Sequence, residues 1–290
     1  MKRFEAQKAY LACLVILTVF ITMLSACGGG GGGHWNAPVG DVTVTSTVPP
    51  APPAPDSPVV TGTDTGVGKT VVTAGLVRLA ADCGRRVVGL KPVASGAVHT
   101  PDGLRNEDAL ALVAASNVAL PYALANPYCF EPAIAPHLAA AEAGIPILPS
   151  GLLEWYGRAS RDAELAFVEG AGGWRVPLHP DGFLSDLPEQ VGMGVILVVG
   201  LRLGCLNHAR LTAEAIERSG RCRLLGWIGN RIDPDFSRLD DNIATLGRLL
   251  GAPALAIVPP LDSPRAEVVA GHLARPSLLA ALDLPVPAGN

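Results

Sequence analysis

The sequence has few charged residues and no cluster of basic ones. Charged residues make up 17% of the 290 residues, and the formal net charge is −4 at pH 7. Nucleic acid binding requires lysine and arginine side chains gathered against the phosphates, so this composition excludes nucleic acid as the main partner. Because 49% of the residues are hydrophobic, the chain has enough apolar surface to bury a substantial core.

The sequence also lacks cysteine and histidine spacings that are typical of metal or redox sites. Cys13 and Cys27 belong to an N-terminal leader, and the other cysteines follow no such pattern: Cys83, Cys129, Cys205 and Cys222. We expect them to be reduced and partly buried, which favours the cytosol. Three histidines show neither zinc-ligand spacing nor a nucleophile-histidine-acid arrangement, and we expect structural roles for them: His137, His179 and His208.

Residues 1–27 resemble a bacterial lipoprotein signal peptide. Lys2 and Arg3 precede an apolar run over residues 9–24 that is short for a membrane span, and Leu-Ser-Ala-Cys at 24–27 resembles a cleavage box. Residues 28–56 are rich in glycine and proline and predict a disordered tether, so we expect a single folded domain over residues 57–290. The alternative is an upstream sequence joined by a mis-set start or a fusion, and a membrane is an expected partner only if the leader is genuine.

The stretch Gly-Thr-Asp-Thr-Gly-Val-Gly-Lys-Thr at 62–70 lies between a short apolar run and a helical pattern. Such a unit binds polyphosphate, because glycines let backbone amides approach the anion and the helix dipole favours negative charge. Lys69 would reach the terminal phosphates, and the Thr70 hydroxyl would bind Mg²⁺. Thr63 stands where the strict P-loop pattern has glycine, and a glycine-rich turn that merely ends a strand is the alternative.

Continuous apolar runs alternate with helical patterns along the rest of the chain. The apolar runs cover residues 86–90, 165–168, 195–199, 224–228 and 254–258, and the helical patterns cover 108–115, 207–219 and 236–250. This alternation predicts an α/β fold of the P-loop NTPase type, with a doubly wound, mostly parallel sheet and helices on both faces. Ligands bind beyond the carboxyl ends of such strands, where we expect Lys91, Glu169 and Asn230 to join the phosphate loop.

Three side chains at this edge are candidates for phosphate chemistry. Lys91 would supply a second cation for charge on a transferred phosphoryl group, and a solvated loop lysine is the alternative. Glu169 lies where P-loop proteins place a second acid near the metal, and the alternative is an ordinary strand-end carboxylate. Asp108 precedes an apolar helix, where a helix cap or a first-turn acid is the alternative.

Several ordered segments together resemble dethiobiotin synthetase over about residues 57–265. They are the P-loop, Lys-Pro-Val-Ala-Ser-Gly at 91–96, Arg-Asn-x-Asp-Ala-Leu at 105–110, Asn-Pro-Tyr at 126–128, Ala-Pro-His at 135–137, Val-Glu-Gly-Ala-Gly-Gly-Trp at 168–174, Leu-Gly-Cys-Leu-Asn-His-Ala at 203–209 and Gly-Trp-Ile-x-Asn at 226–230. The resemblance implies ATP- and Mg²⁺-dependent ring closure of 7,8-diaminononanoate with CO₂ to dethiobiotin, in biotin biosynthesis. It implies a carbamate and then a carbamic-phosphoric anhydride as intermediates.

The resemblance also implies roles for individual residues. Lys69 and Lys91 match catalytic lysines that face phosphate and carbamate. The implied ATP-binding set is Gly66, Val67, Gly68, Lys69, Thr70, Glu169, Gly170, Ala171, Gly172, Asn230, Pro259 and Leu261. The implied substrate contacts are Thr65, Ser95, Cys205, Leu206 and Asn207, and the implied Mg²⁺ ligands are Thr70, Asp108 and Glu169. Gly66, Arg231 and Ala256 depart from the family pattern and bear on nucleotide affinity and selectivity.

The family is a homodimer, so the resemblance implies a substrate site at a subunit interface, with the loop at residues 204–208 holding the other subunit's substrate. It also implies a cytoplasmic enzyme, which conflicts with the leader because ATP is required. Two other interpretations stay open. One is a P-loop switch of the partition and division-site type, although Asp64 stands where those proteins carry a signature lysine. The other is an exported lipoprotein with a vestigial P-loop domain, which rests on Cys27.

Overall fold

The computed structural model describes residues 57–180 and 182–287, and the predicted leader and tether at residues 1–56 lie outside the described residues. The strands are β1 (Val59–Gly62), β2 (Val87–Leu90), β3 (Val93–Ser95), β4 (Val98–Thr100), β5 (Gly103–Arg105), β6 (Tyr128–Phe130), β7 (Leu165–Glu169), β8 (Pro177–His179), β9 (Gly182–Phe183), β10 (Gly194–Gly200), β11 (Arg223–Asn230) and β12 (Ala254–Val258). The helices are α1 (Lys69–Asp82), α2 (Glu107–Ala115), α3 (Tyr122–Ala125), α4 (Pro136–Glu142), α5 (Pro149–Ala159), α6 (Asp186–Val191), α7 (Cys205–Ser219), α8 (Leu239–Leu249), α9 (Ala266–Leu273) and α10 (Pro276–Ala281).

The central sheet has six strands in the order β12-β11-β10-β1-β7-β2. Every neighbouring pair in it is parallel. The strand that leads into the phosphate loop, β1, therefore lies between β10 and β7. This arrangement confirms the predicted α/β fold with a mostly parallel sheet, and it places the carboxyl ends of the six strands along one edge.

Helices cover both faces of this sheet, as predicted. Adjacent residues of a strand point to opposite faces: Val60 packs in the same apolar cluster as Leu76 of α1, whereas Val59 packs in a second cluster with Trp155 of α5. A third cluster joins Trp227 of β11 to α7 and α8. Burial on both faces explains why these strands read as continuous apolar runs. Within the described residues, no helix has the length and hydropathy needed to span a membrane.

Two predicted helices begin at different residues from those expected. The helix predicted at 207–219 begins at Cys205, directly after Gly204, whose φ of 95° lets the chain turn into the helix. The helix predicted at 236–250 begins only at Leu239, because Arg238 adopts a left-handed φ of 55°.

Helices α4 and α5 are additional to those predicted, although each begins with a proline at its first turn, which is a known start signal.

The cysteines of the described residues are free, as expected: Cys83, Cys129, Cys205 and Cys222. Burial raises the pKa of each thiol above its ordinary value, and that of Cys222 reaches about 11. Since the thiolate is the reactive form, these side chains are poor nucleophiles at neutral pH and act as packing groups.

The C-terminal helices α9 and α10, which are also additional to those predicted, pack against the helix that follows the phosphate loop and against the sheet. A Cβ atom at Gly75 of α1 would lie 2.4 Å from Cγ1 of Val269 and 3.0 Å from Cδ1 of Leu273, both on α9. The close approach of α1 and α9 therefore depends on the missing side chain at position 75. Helix α9 therefore stabilises α1, the helix that follows the phosphate loop, by packing against it.

We expect Gly75→Ala to lower the free energy of unfolding by about 1–3 kcal/mol, because the clash with α9 outweighs the gain in helix propensity of about 1 kcal/mol. Gly271→Ala on α9 is the matched control, since a Cβ atom there would meet nothing within 4 Å, and we expect it to leave stability unchanged or raise it. Urea unfolding followed by circular dichroism measures both. Equal stability of the two variants would contradict the proposed helix contact.

Candidate active site

The phosphate loop connects β1 to α1 over residues 63–68. Gly68 has a φ of 85°, and a Cβ atom there would lie 2.1 Å from Nδ2 of Asn230, so only glycine fits this position. Asn230, the last residue of β11, donates from Nδ2 to the Val67 carbonyl at 3.0 Å. Lys69 donates to the Asp64 carbonyl at 3.0 Å. No side chain of the described residues caps the start of α1, so its first amides are available to an anion.

Lys91 and Glu169 form a buried ion pair beside this loop. The Lys91 Nζ atom lies 2.5 Å from Oε1 of Glu169 and 3.3 Å from Oδ2 of Asp108. Thr70 donates its hydroxyl to the same Glu169 oxygen at 2.8 Å. Lys91 is 3% exposed and Glu169 is 0% exposed, so Lys91 is not a solvated loop lysine. The structure therefore brings together four of the predicted side chains at the carboxyl edge of the sheet.

Asp108 lies in the first turn of α2, but it is not the helix cap. The cap is Asn106, whose Oδ1 accepts a hydrogen bond from the Ala109 amide at 3.3 Å. The Asp108 side chain is 46% exposed and reaches Lys91. The prediction that Asp108 caps the helix is therefore wrong. Asp108 is an acid in the first turn of α2, and from that position its side chain reaches Lys91.

A pocket of about 790 Å³ opens over these charged groups. One part of its lining consists of predicted site residues: Thr65, Gly66, Gly68, Lys69, Thr70, Lys91, Ser95, Asp108, Glu169, Ala171 and Gly172. An apolar wall is additional to the predicted site: Val93, Ala94, Ala133, Ile134, Ala135, Pro136, Val176 and Pro177. Four of these residues belong to the segments at 91–96 and 135–137 that carry the family resemblance, but only the fold brings the three stretches of the wall together.

Several predicted site residues lie outside the lining of this pocket: Val67, Gly170, Cys205, Leu206, Asn207, Asn230, Pro259 and Leu261. Asn230 instead stabilises the phosphate loop through its hydrogen bond to the Val67 carbonyl. Cys205, Leu206 and Asn207 begin α7, directly after the loop in which Leu203 is 91% exposed. The roles of these residues in binding nucleotide or substrate stay predictions.

The two lysines of the pocket have opposite pKa shifts. Burial and, to a smaller extent, the charge of Lys91 lower the pKa of Lys69 to about 8, although the carboxylates of Glu169, Asp108 and Asp64 partly offset them. Burial alone would also lower the pKa of Lys91, but the carboxylates of Glu169 and Asp108 outweigh burial and raise it. Lys91 therefore stays an ammonium at neutral pH, whereas Lys69 is closer to losing its proton, and a bound polyphosphate would stabilise its charged form.

We expect amine acylation of Lys69 in the metal-free and nucleotide-free protein to titrate with a midpoint near pH 8, because below that pH the unreactive ammonium form dominates. Lys69 and Lys91 are the only lysines beyond residue 8, so peptide mass spectrometry after a short pulse of acylating ester resolves both. Rates are divided by those of an added lysine peptide, and Lys91 is the internal control that stays unmodified. A Lys69 midpoint near the ordinary lysine value of about 10 would contradict the assigned shift.

The oxygen atoms of the pocket suit a hard divalent cation. Oε2 of Glu169 is buried and has no hydrogen-bond partner, and the Thr70 hydroxyl and the Asp108 carboxylate lie beside the same cluster. Mg²⁺ prefers such ligands and shares its coordination with phosphates and waters. Within the described residues, no group of three His, Cys, Asp or Glu side chains is arranged to hold a metal ion. A cation here would therefore depend on oxygens of a bound phosphate.

Comparison with known proteins decides the family. The family model described as an AAA domain matches residues 57–267. The ATP-dependent dethiobiotin synthetase BioD of Pseudomonas paraeruginosa is 51% identical over 219 residues, covering 74% of this chain and 94% of the relative. The chain belongs to the dethiobiotin synthetase family. The enzymes of the same name from Chromohalobacter salexigens and Xanthomonas campestris pv. campestris are 51% and 47% identical, each covering 75% of this chain and 97% and 96% of the relative, respectively.

Membership of the dethiobiotin synthetase family confirms the resemblance seen in the sequence and makes the chain a member of an ATP-dependent ligase family. Among solved structures, the MinD cell division protein of Aquifex aeolicus is 17% identical with a TM-score of 0.47, covering 79% of this chain and 94% of that chain. A likeness at that level says nothing about function. The family relationship therefore favours the enzyme over the partition-type switch.

Proposed function

We propose that this protein closes 7,8-diaminononanoate and CO₂ into dethiobiotin at the expense of ATP. The observation that carries the proposal is the position of Lys91, a buried ammonium held between Glu169 and Asp108 where the phosphate loop meets an apolar wall. A phosphate site and an apolar site share one pocket here, and a cation lies between them. That arrangement suits the transfer of a phosphoryl group to a substrate with an aliphatic chain.

The phosphate loop binds the polyphosphate of ATP. The first amides of α1 face the anion together with the helix dipole, and Lys69 exchanges its bond to the Asp64 carbonyl for bonds to phosphate oxygens. Burial has lowered the pKa of Lys69, so binding of the anion favours its charged form. Asn230 fixes the loop through the Val67 carbonyl and thereby limits its movement during the reaction.

Lys91 stabilises the charge that develops between the two substrates. One amine of the substrate adds to CO₂ to give a carbamate, a carbamate oxygen accepts the terminal phosphoryl group of ATP, and ADP leaves. The neighbouring amine then attacks the carbamoyl carbon, phosphate leaves and the ureido ring closes. The enzyme must position these groups and neutralise their negative charge. The ammonium of Lys91 is already desolvated and fixed, so it does not reorganise when that charge appears.

A magnesium ion, when bound, would neutralise charge on the phosphates. Thr70, Asp108 and Glu169 are the residues that would hold it, and the unpartnered Oε2 atom of Glu169 is an available ligand. In the same proposal, Ser95, whose Oγ atom is buried without a partner in the pocket lining, and Thr65 contact the diamine. The apolar wall formed by Ile134 and its neighbours accommodates the aliphatic chain.

We further propose that two copies of the chain complete the substrate site. The loop at residues 202–204 exposes Leu203 almost fully, and the start of α7 directly behind it would face the other subunit's substrate. The adenine roles of Asn230, Pro259 and Leu261 belong to the same proposal, as does a cytoplasmic location, since the reaction consumes ATP.

The full-length protein, incubated with 7,8-diaminononanoate, ATP, Mg²⁺ and carbon-13-labelled bicarbonate, is expected to yield dethiobiotin that carries the label. Mass spectrometry of the products and a coupled assay for ADP measure the reaction, and mixtures that lack one component serve as controls. A folded protein that forms no labelled dethiobiotin would reject the proposed function.

A further inference from the structure

The hydroxyl of Tyr122 connects two buried asparagines behind the pocket. It accepts a hydrogen bond from the Asn106 amide at 2.7 Å and lies 3.1 Å from Oδ1 of Asn126, to which it donates. Asn106 is 6% exposed and Asn126 is 2% exposed. The guanidinium carbon of Arg105 lies 4.3 Å from the centre of the Tyr122 ring and holds the ring in place. Tyr122 itself does not line the pocket.

The direction of this hydrogen-bond chain is determined by its first member. A backbone amide can only donate, so the Tyr122 hydroxyl accepts from Asn106 and donates its single proton to Asn126. The Sγ atom of Cys129 lies 3.6 Å from the same hydroxyl and is a weak third partner. Oδ1 of Asn126 is thereby the acceptor, and its Nδ2 atom must donate elsewhere. Burial raises the pKa of Tyr122 to about 12, so the hydroxyl keeps the proton that the chain requires.

Asn126 fixes the backbone of Lys91. Its Nδ2 atom donates to the Lys91 carbonyl at 2.7 Å, and the Lys91 amide donates to the Ala125 carbonyl at 2.8 Å. Lys91 follows the last residue of β2 and precedes Pro92, which has no amide hydrogen to donate to a neighbouring strand. The end of α3 therefore holds both peptide groups of the residue that carries the central ammonium.

Asn106 fixes the other side of the pocket. Its Oδ1 atom caps α2, the helix that carries Asp108, and its Nδ2 atom donates to the Ser95 carbonyl at 3.3 Å. The Tyr122 hydroxyl thus joins the segment that carries Lys91 to the helix start that carries Asp108. The gap between those two side chains is 3.3 Å, and small shifts of either segment would change it.

We propose that Tyr122, Asn106 and Asn126 form a positioning network that fixes Lys91 relative to Asp108 and Ser95 for the reaction. This inference rests on the proposed function for its kinetic consequences, but its geometry can be tested without the reaction. The three residues touch neither phosphate nor diamine in this arrangement, and they act through the backbone of the groups that do. Hydrogen-bond networks of this kind restrict the movement of the groups that they join.

Tyr122→Phe in the full-length protein tests the network, because it keeps the ring on Arg105 and removes only the hydroxyl. We expect kcat for dethiobiotin to fall about 10-fold, which is less than the roughly 10²-fold loss that a full ångström of misplacement can cause, while the KM for ATP changes less than about twofold. We also expect faster hydrogen-deuterium exchange of the peptide spanning residues 105–110, since the Asn106 amide loses its acceptor.

Tyr128→Phe is the matched control, because its hydroxyl faces Gly151 on α5 and lies outside the network. We expect wild-type kcat and wild-type exchange for it. Asn106→Ser is a second variant that guards against misfolding of Tyr122→Phe: an uncharged serine caps α2 about equally well but has no amide group to donate to the Ser95 carbonyl. We expect a fall in its kcat with the thermal melting temperature retained.

The measurements separate the possible outcomes. A fall in kcat at constant KM for ATP, in Tyr122→Phe and not in Tyr128→Phe, supports the network. Unchanged kcat and unchanged exchange in both Tyr122→Phe and Asn106→Ser would overturn it, as would parallel losses of kcat, ATP affinity and melting temperature. If the wild-type protein forms no dethiobiotin, the proposed function fails, and the exchange of the Asn106 amide alone decides whether the network exists.

Discussion

Replacing Lys91 with glutamine is expected to lower kcat by about 10²-fold or more, while the Kd for ATP changes by less than about threefold. The ammonium lines the same pocket as the phosphate loop and the apolar wall, and in the proposed function it acts on the carbamate and the transferring phosphoryl group. Its loss should therefore affect the developing charge more than the bound nucleotide. Steady-state kinetics and calorimetric titration with a non-hydrolysable ATP analogue measure the two effects separately.

The same variant also has a structural consequence. Glu169 is 0% exposed, so Lys91→Gln leaves its carboxylate buried without a charged partner, and we expect the metal-free protein to lose about 3–5 kcal/mol of stability. Arg78→Gln is the control, because Arg78 forms exposed pairs with Asp82 and Glu267 that contribute little. Equal losses of ATP affinity and turnover would assign Lys91 a simple binding role.

The second large effect concerns magnesium. Glu169→Gln and Asp108→Asn are each expected to raise the Mg²⁺ concentration for half-maximal activity by about 10-fold or more, because each removes a charged oxygen ligand from a site that has few. Glu169→Gln should also weaken the buried ion pair with Lys91 and lower the free energy of unfolding, whereas Asp108→Asn should leave the free energy of unfolding nearly unchanged. Magnesium titrations at saturating ATP measure the midpoints.

Glu107→Gln is the matched control for Asp108→Asn. Both residues are acids in the first turn of α2, so both substitutions remove the same favourable interaction with the helix dipole. Only Asp108 reaches Lys91 and lines the pocket. We expect a wild-type Mg²⁺ midpoint for Glu107→Gln, and an unshifted midpoint for Asp108→Asn would remove Asp108 from the proposed metal site.

Much of the fold and the phosphate-binding half of the site could be predicted from local patterns. Strands buried on both faces are continuous apolar runs, and parallel strands end at one edge, so the sequence pattern suffices to place Lys91 and Glu169 together. The phosphate loop could be predicted because its glycines and Lys69 are contiguous. The ordered motifs identified the family, and comparison with its members confirmed it.

Other features depend on contacts between distant segments. Helices α9 and α10 follow the last strand without a strong periodic signal, and the position of α9 depends on the space left by Gly75. The sequence allows Asp108 to be a helix cap, but Asn106 has that role because its backbone is extended. The apolar wall of the pocket joins residues 93–94, 133–136 and 176–177, which no sequence spacing relates.

The sequence by itself determined which segments form the strands of the central sheet, the phosphate loop and the identity of the charged residues, because these depend on neighbours within a few positions along the chain. Only the tertiary structure decided that Lys91 is buried against Glu169, that Asn230 supports the phosphate loop, and that the Tyr122 hydroxyl joins the two sides of the pocket. The physical reason is that burial and hydrogen-bond partners are set by segments far apart in the chain, and a charged side chain has the same sequence signature whether it is solvated or desolvated.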